Sequence, residues 1–64
     1  MHFYVAVDTD NGTYYCVACA GSEYYAEKKA MRHYREEGEE VYSAEAQMFN
    51  TFEHGSITDY EILE

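Results

Sequence analysis

The sequence predicts one small α+β domain, a small antiparallel sheet with one helix packed on one face, in the order ββαββ. Three features predict it: alternating segments around an Asn-Gly dipeptide, a central segment of helical periodicity, and extended segments after the helix. No repeat, linker or low-complexity stretch interrupts the chain, so we expect a single domain over residues 1–64. A domain of this length buries only about 60% of the surface of its unfolded chain, which leaves a small core.

The N-terminal segment predicts a β-hairpin. Residues 2–7 and 13–20 alternate between two faces, and the Asn11-Gly12 dipeptide between them is a strong hairpin signal. One helix can cover only one face of the sheet. We expect that covered face to carry Phe3, Val5, Val7, Tyr15 and Val17. Tyr4 and Tyr14 would then stand on the open face.

The central segment predicts a helix over about residues 23–37. Ser22 suits the N-cap position, and Gly38 suits the position after the last turn. The apolar stripe at helical spacing consists of Ala26, Ala30, Met31 and Tyr34. The opposite face carries Lys28, Arg32 and Arg35. These cations form either a small patch for an anion or a solvated face supported by pairs with glutamates.

The last third of the chain allows two interpretations. As a strand, residues 41–48 place inward Tyr42, Ala44, Ala46 and Met48, and outward Val41, Ser43, Glu45 and Gln47. As a short helix capped by Ser43, the stretch gives the order ββααβ, with a stripe of Ala44, Met48, Phe49 and Phe52. Val41-Tyr42 favours the strand. A turn at residues 54–56 then leads into a last strand over 57–63, with Tyr60 and Ile62 inward.

The charge distribution excludes several classes of function. The net charge is −9, and residues 36–64 contain no Lys or Arg, so the acidic excess lies in the second half. Direct nucleic-acid binding needs a basic surface, and anionic membranes repel an acidic one. A basic partner surface would attract it. We therefore expect a protein partner with a Lys/Arg-rich surface, no direct nucleic acid and no membrane.

The N-terminus and the cysteines indicate a reducing compartment. No basic segment precedes a hydrophobic stretch, so no secretory signal is expected, and no apolar run approaches the length of a membrane span. Cys16 and Cys19 are expected to be reduced, structural thiols in the cytoplasm. A zinc site using them would need a second ligand pair, and the only histidines are the scattered His2, His33 and His54.

Catalysis is not expected from this sequence. It contains no Gly-rich phosphate loop and no recognisable pairing of a nucleophile with a base. A chain of this length also has little material with which to enclose a substrate. We predict a binding protein that is not an enzyme, has no cofactor and no metal, and is a monomer or weak dimer.

Acidic and tyrosine side chains are the candidate binding residues. Strand geometry would project Glu39, Glu45, Asp59 and Glu61 from the open face, where same-face residues recur every 6.5–7 Å or so. That interval is close to the separation of successive phosphates along a nucleic-acid strand. The predicted partner-binding residues are Glu36, Glu37, Glu39, Glu40, Glu45, Asp59, Glu61, Tyr4 and Tyr14. Tyrosine is included because it is common at interface hot spots.

The chain resembles small acidic phage-encoded inhibitors, among them the anti-CRISPR proteins. The resemblance lies in size, charge and the eight tyrosines, and in the acidic runs at residues 36–40 and 59–64. It implies a cytoplasmic protein of the bacterial host cell that blocks a CRISPR effector at its DNA-docking surface, as a DNA mimic. The alternative is a small acidic structural or regulatory module that self-associates through its open sheet face.

Overall fold

The computed structural model describes all residues 1–64 and confirms the predicted fold class and order ββαββ, with one helix packed on the sheet. The elements are β1 (His2–Thr9), β2 (Gly12–Cys19), α1 (Glu23–Glu36), β3 (Val41–Met48), α2 (Thr51–His54), a 3-10 turn (Ile57–Asp59) and β4 (Ile62–Leu63). The strands form one sheet in the order β3-β1-β2-β4. Neither helix has the length and apolar composition needed to cross a membrane.

The hairpin closes through Asp10 and Asn11, which lie between the paired residues Thr9 and Gly12. Gly12 adopts a φ of 108°, and every residue with a positive φ in this chain is a glycine. Glycine accepts this conformation without the clash that a Cβ atom would cause. The buried Thr9 hydroxyl donates to the Gly12 carbonyl and accepts from the Asn11 amide, each at 3.0 Å. The strands therefore extend further toward the turn than the alternation predicted.

The register of the hairpin corrects the predicted core. Thr9 pairs with Gly12, so odd-numbered residues of β1 face even-numbered residues of β2. Opposite residues of an antiparallel pair lie on the same face. The helix side therefore carries Tyr14, Cys16 and Ala18, and the prediction that Tyr15 and Val17 face the helix is wrong. The buried cluster beneath the helix consists of Phe3, Val5, Val7, Cys16, Ala18, Ala26, Ala30, Tyr34 and Ala46.

The helix α1 begins and packs as its sequence predicts. The Ser22 side chain accepts a hydrogen bond from the Tyr25 amide, which satisfies one of the free donors of the first turn. Ala26 and Ala30 are fully buried and Tyr34 is nearly so, whereas Met31 is only half-buried. Two alanines on the contact face let the helix backbone approach the sheet closely.

Residues 41–48 form a strand, which confirms that interpretation over the helical one. Its first half nevertheless differs from simple alternation. Asp8 pairs with Ser43 but Thr9 pairs with Val41, so Tyr42 is an extra residue in a β-bulge. The bulge reverses which residues face inward and outward before Ser43. Val41 packs against the core and Tyr42 is 63% exposed, the opposite of what was predicted. Ala44 and Ala46 point inward as expected.

The C-terminal segment is less regular than predicted. A strand over 57–63 is wrong, because a 3-10 turn occupies Ile57–Asp59 and only Ile62–Leu63 pair. β4 runs parallel to β2, with Val17 opposite Ile62 and Ala18 opposite Leu63, so the sheet is mixed and not wholly antiparallel as predicted. Leu63 therefore lies on the helix side, where it packs against the core, and Ile62 lies on the other face. The prediction that Ile62 points inward toward the helix is wrong.

The face of the sheet away from α1 is partly covered by residues 49–60. The Tyr4 ring stacks on His54 with ring centroids 4.0 Å apart, and Tyr60 meets it edge-on at 5.5 Å. Phe49 packs against both His54 and Tyr60. The Tyr60 hydroxyl donates to the His54 carbonyl. Tyr4 thus lies on the predicted face but is half-buried, so less bare sheet is left for self-association than the sequence suggested.

Candidate functional site: an acidic end

The hairpin tip packs against the loop that follows α1. The Asp10 amide donates to the Glu40 carbonyl at 3.1 Å, and the Glu40 amide donates to the Asp10 carboxylate at 3.3 Å. The Asn11 side-chain amide donates to Glu39 at 2.7 Å. These contacts hold Asp10, Glu39 and Glu40 together. Asp8 lies near the end of β1, and Glu36 and Glu37 lie at the end of α1, where Glu36 also lines a groove with Lys29 and Arg32. We call the six carboxylates at this end of the molecule the acidic end: Asp8, Asp10, Glu36, Glu37, Glu39 and Glu40.

Tyr14 reports the electrostatics of this region. Its hydroxyl donates to Glu39 at 3.2 Å, and its ring stacks on Tyr34 with centroids 5.0 Å apart. Burial first, and then the negative charges of Glu39, Asp10 and Glu37, raise the pKa of Tyr14. Carboxylates from both the hairpin tip and the loop after the helix therefore affect the pKa of the Tyr14 hydroxyl. Negative potential is concentrated here.

The acidic end continues onto the face of the sheet away from the helix. Asp8 pairs with Ser43 and Ala6 pairs with Glu45, so Asp8 and Glu45 are diagonal neighbours on that face. Diagonal neighbours of this kind are about 7–8 Å apart. The Asp8 carboxylate accepts hydrogen bonds from Thr13 at 2.7 Å and Ser43 at 3.3 Å, which fix its position. Glu45 lies on the face where it was predicted.

Other predicted binding residues do not share that face. Glu39 contacts Tyr14 and Glu61 contacts His33, so both lie on the helix side of the sheet. Tyr14 also lies there, and its predicted place on the open face is wrong. Asp59 is exposed within the 3-10 turn rather than in a strand. The regular array along two strands is therefore absent, and of the predicted carboxylates only Glu36, Glu37, Glu39 and Glu40 belong to the acidic end.

The four Lys and Arg side chains lie on the outer surface of α1, where Lys29 and Arg32 also line a neighbouring groove with Glu36 and Glu64. Lys28, Lys29, Arg32 and Arg35 line an open groove of about 440 Å³ on the outer surface of α1, together with Tyr25. None of them lies within 4.0 Å of an Asp or Glu side-chain carboxylate, and both ion pairs of the molecule involve His33. The expected glutamate pairs on this helix face are thus not formed. Lys29 donates instead to the main-chain oxygens of Cys19 and Glu64.

The two cysteines are free and lie on opposite faces of β2. Cys16 is buried beneath α1, and burial raises its pKa to about 11, an effect that the neighbouring Tyr34 hydroxyl only partly offsets. A protonated, buried thiol is a poor nucleophile and a poor metal ligand. This environment suits the structural role predicted for Cys16.

Asp8 and Asp10 are the members of the acidic end that the sequence did not indicate. Residues 1–35 have balanced charge, so these two aspartates were not counted with the acidic second half. The proximity of Asp10 to Glu39 and Glu40 depends on the hairpin tip reaching the loop after α1. The sequence does contain an acidic turn in the hairpin and an acidic run after the helix. A compact sheet can bring these two segments together, and that combination could have indicated the acidic end.

No family model matches this chain, and neither the comparison with curated proteins nor that with solved structures finds a match.

Proposed function

We propose that this protein binds a Lys/Arg-rich nucleic-acid-binding surface on another protein and blocks the binding of DNA there. The observation that carries the proposal is that six carboxylates lie at one end of the molecule and that no lysine or arginine forms an ion pair with any of them. Hydrogen bonds between the hairpin tip and the loop after α1 hold the charges in place. A surface of this kind serves binding rather than catalysis.

The physical basis is competition for the same cationic groups. A DNA-binding surface gains free energy when DNA neutralises it and condensed counterions are released. A folded cluster of carboxylates offers the same neutralisation and is already ordered before it binds. A regular spacing of carboxylates along a strand is not needed for this competition and is not present, since Glu39 and Glu61 lie on the helix side. The density of negative charge at the acidic end is what attracts the cationic surface.

The resemblance to anti-CRISPR proteins suggests which partner to test first. A CRISPR effector holds its guide–target duplex in a positively charged channel and reads a short duplex motif with arginines. An acidic protein of this size would enter such a channel and exclude the target. The proposed role is stoichiometric inhibition of target DNA binding in the cytoplasm of a bacterial host.

The test is competition with target DNA for purified CRISPR effector complexes, followed by mobility shift. We expect the protein to prevent DNA binding, with an apparent affinity that falls as salt rises. The informative variant is Glu36→Lys with Glu40→Lys, because neither side chain makes a hydrogen bond or ion pair within the protein. Inhibition should weaken at least about tenfold, equivalent to ~1.4 kcal/mol.

A matched variant separates the acidic end from net charge. Glu23→Lys with Glu53→Lys changes the net charge by the same amount but lies at the first turns of α1 and α2. This variant should inhibit nearly as well as the natural sequence. Equal losses in the two variants, or effector complexes that bind DNA normally at saturating inhibitor, would contradict the proposal.

A further inference from the structure

A second cluster of side chains lies where the end of α1 meets the residue before β4. His33 Nε2 is 3.2 Å from a carboxylate oxygen of Glu61 and 3.4 Å from one of Glu37. His33 and Glu37 are four residues apart on the helix, so they share one face. The three donor atoms all lie within 4.8 Å of one another. Two segments that are distant in the sequence thus direct one imidazole and two carboxylates at a common point.

The distances from His33 Nε2 to the two carboxylate oxygens are close to the distances between ligand atoms on a tetrahedral metal ion. Zinc binds histidine nitrogen at about 2.0–2.1 Å and carboxylate oxygen at about 2.0–2.2 Å. Two such ligands at a tetrahedral angle are therefore about 3.3–3.6 Å apart. Of the two distances measured from His33, the 3.4 Å to Glu37 lies within this range and the 3.2 Å to Glu61 lies 0.1 Å below it.

The electrostatics also favour a cation at this point. His33 Nε2 carries at most one proton, so it cannot donate a separate hydrogen bond to each carboxylate. Lys29 and Arg32 line the adjacent groove of about 320 Å³, yet neither lies within 4.0 Å of Glu37 or Glu61. The two carboxylates therefore face each other with only an imidazole between them.

We propose that His33, Glu37 and Glu61 form a divalent-metal site suited to Zn²⁺, with solvent completing the coordination. The side chain of His33 is 23% exposed and those of the glutamates are about half exposed, so an ion has direct access. The bound ion fastens α1 to the residue before β4, a strand of only two residues. Binding to the folded state alone raises its stability.

Zinc titration by calorimetry, with thermal unfolding measured in parallel, tests the site. The natural sequence should bind one Zn²⁺ and unfold at a higher temperature when the metal is present. His33→Ala and the near-isosteric Glu61→Gln should each lose at least about tenfold in affinity. His2→Ala and Asp59→Asn, which alter the same residue types outside the cluster, should bind as before.

Cobalt substitution excludes the thiols as the true ligands. Co²⁺ bound by His33 and two carboxylates should show no thiolate charge-transfer band, and Cys19→Ser should leave the affinity unchanged. Because protons compete for the ligands, affinity should fall on acidification. A thiolate band, or a loss of zinc affinity in His2→Ala equal to that in His33→Ala, would overturn the proposal. So would the absence of zinc binding by both the natural protein and a folded Glu61→Gln variant.

Discussion

At the scale of single residues, Cys16 and Tyr34 lie side by side under α1, where loss of a proton is costly. Burial raises the pKa of Cys16 from 9.0 to about 11. Burial also raises the pKa of Tyr34, and the nearby Cys16 raises it further. Each group therefore keeps its proton in the folded state at a pH where the unfolded chain releases it. This difference links folding stability to alkaline pH.

We expect the free energy of unfolding to be constant near neutral pH and to fall as the pH rises above about 9. The stabilising contribution of Cys16 is complete below its unfolded pKa of 9.0 and is lost as the pH approaches 11. Urea unfolding at a series of pH values measures this slope. Cys16→Ala should show a shallower decline than the natural sequence. An unchanged slope in that variant would contradict the assignment.

Single residues were predictable where side-chain chemistry alone decides the outcome: Ser22 caps α1, and Ala26 and Ala30 are buried. The face of Tyr14 was not predictable in this way, because it depends on which residues pair across the hairpin. A two-residue connection shifts the pairing parity, and alternation within a single strand contains no information about that shift.

At the scale of elements, α1 protects the edge of the sheet formed by β3. The Glu27 carboxylate accepts a hydrogen bond from the Ala46 amide at 3.0 Å. An edge strand otherwise presents unpaired amides to other chains. The helix thus does more than cover the core, because one of its side chains occupies a hydrogen-bonding position on the outermost strand.

Removing this contact should weaken both stability and edge protection. We expect Glu27→Ala to lower the free energy of unfolding by about 1–2 kcal/mol, since it leaves a partly buried amide without its charged acceptor. Hydrogen exchange at the Ala46 amide should accelerate more than at other β3 amides. Glu23→Ala, an exposed change on the same helix, is the control. Equal exchange rates in the two variants would count against this role.

The regular elements were predictable and the irregular ones were not. Periodicity placed the hairpin, α1 and β3, because each is long enough for its pattern to repeat. The bulge at Tyr42 and the 3-10 turn at Ile57–Asp59 leave no such pattern. They arise where the chain must turn to bring Val41 and Leu63 against the core, a requirement that only the assembled fold imposes.

At the scale of the whole molecule, no Lys or Arg side chain forms an ion pair with an Asp or Glu side chain. All four Lys and Arg side chains line the outer groove of α1, while the acidic end gathers six carboxylates. An excess of like charge at one end destabilises the compact state, although the same excess raises the attraction for a cationic surface. The proposed binding function and the folding stability therefore oppose each other.

This opposition predicts a salt effect on stability. Adding salt to about 0.5 M should raise the free energy of unfolding of the natural sequence, since screening weakens repulsion among the carboxylates. Glu36→Gln with Glu40→Gln should be more stable at low salt and gain less from added salt. Urea unfolding at two salt concentrations measures both effects. A salt increment as large as that of the natural protein would show that these carboxylates do not repel one another.

Asp10 and Glu40 are joined by two hydrogen bonds, one between their main chains and one from the Glu40 amide to the Asp10 carboxylate. They join positions thirty residues apart in the sequence, so the acidic end is a discontinuous epitope that exists only while the chain is folded. A synthetic peptide covering residues 36–40 would carry four of its glutamates without their arrangement. Any partner that recognises the arrangement would distinguish native protein from denatured or proteolysed fragments of identical charge.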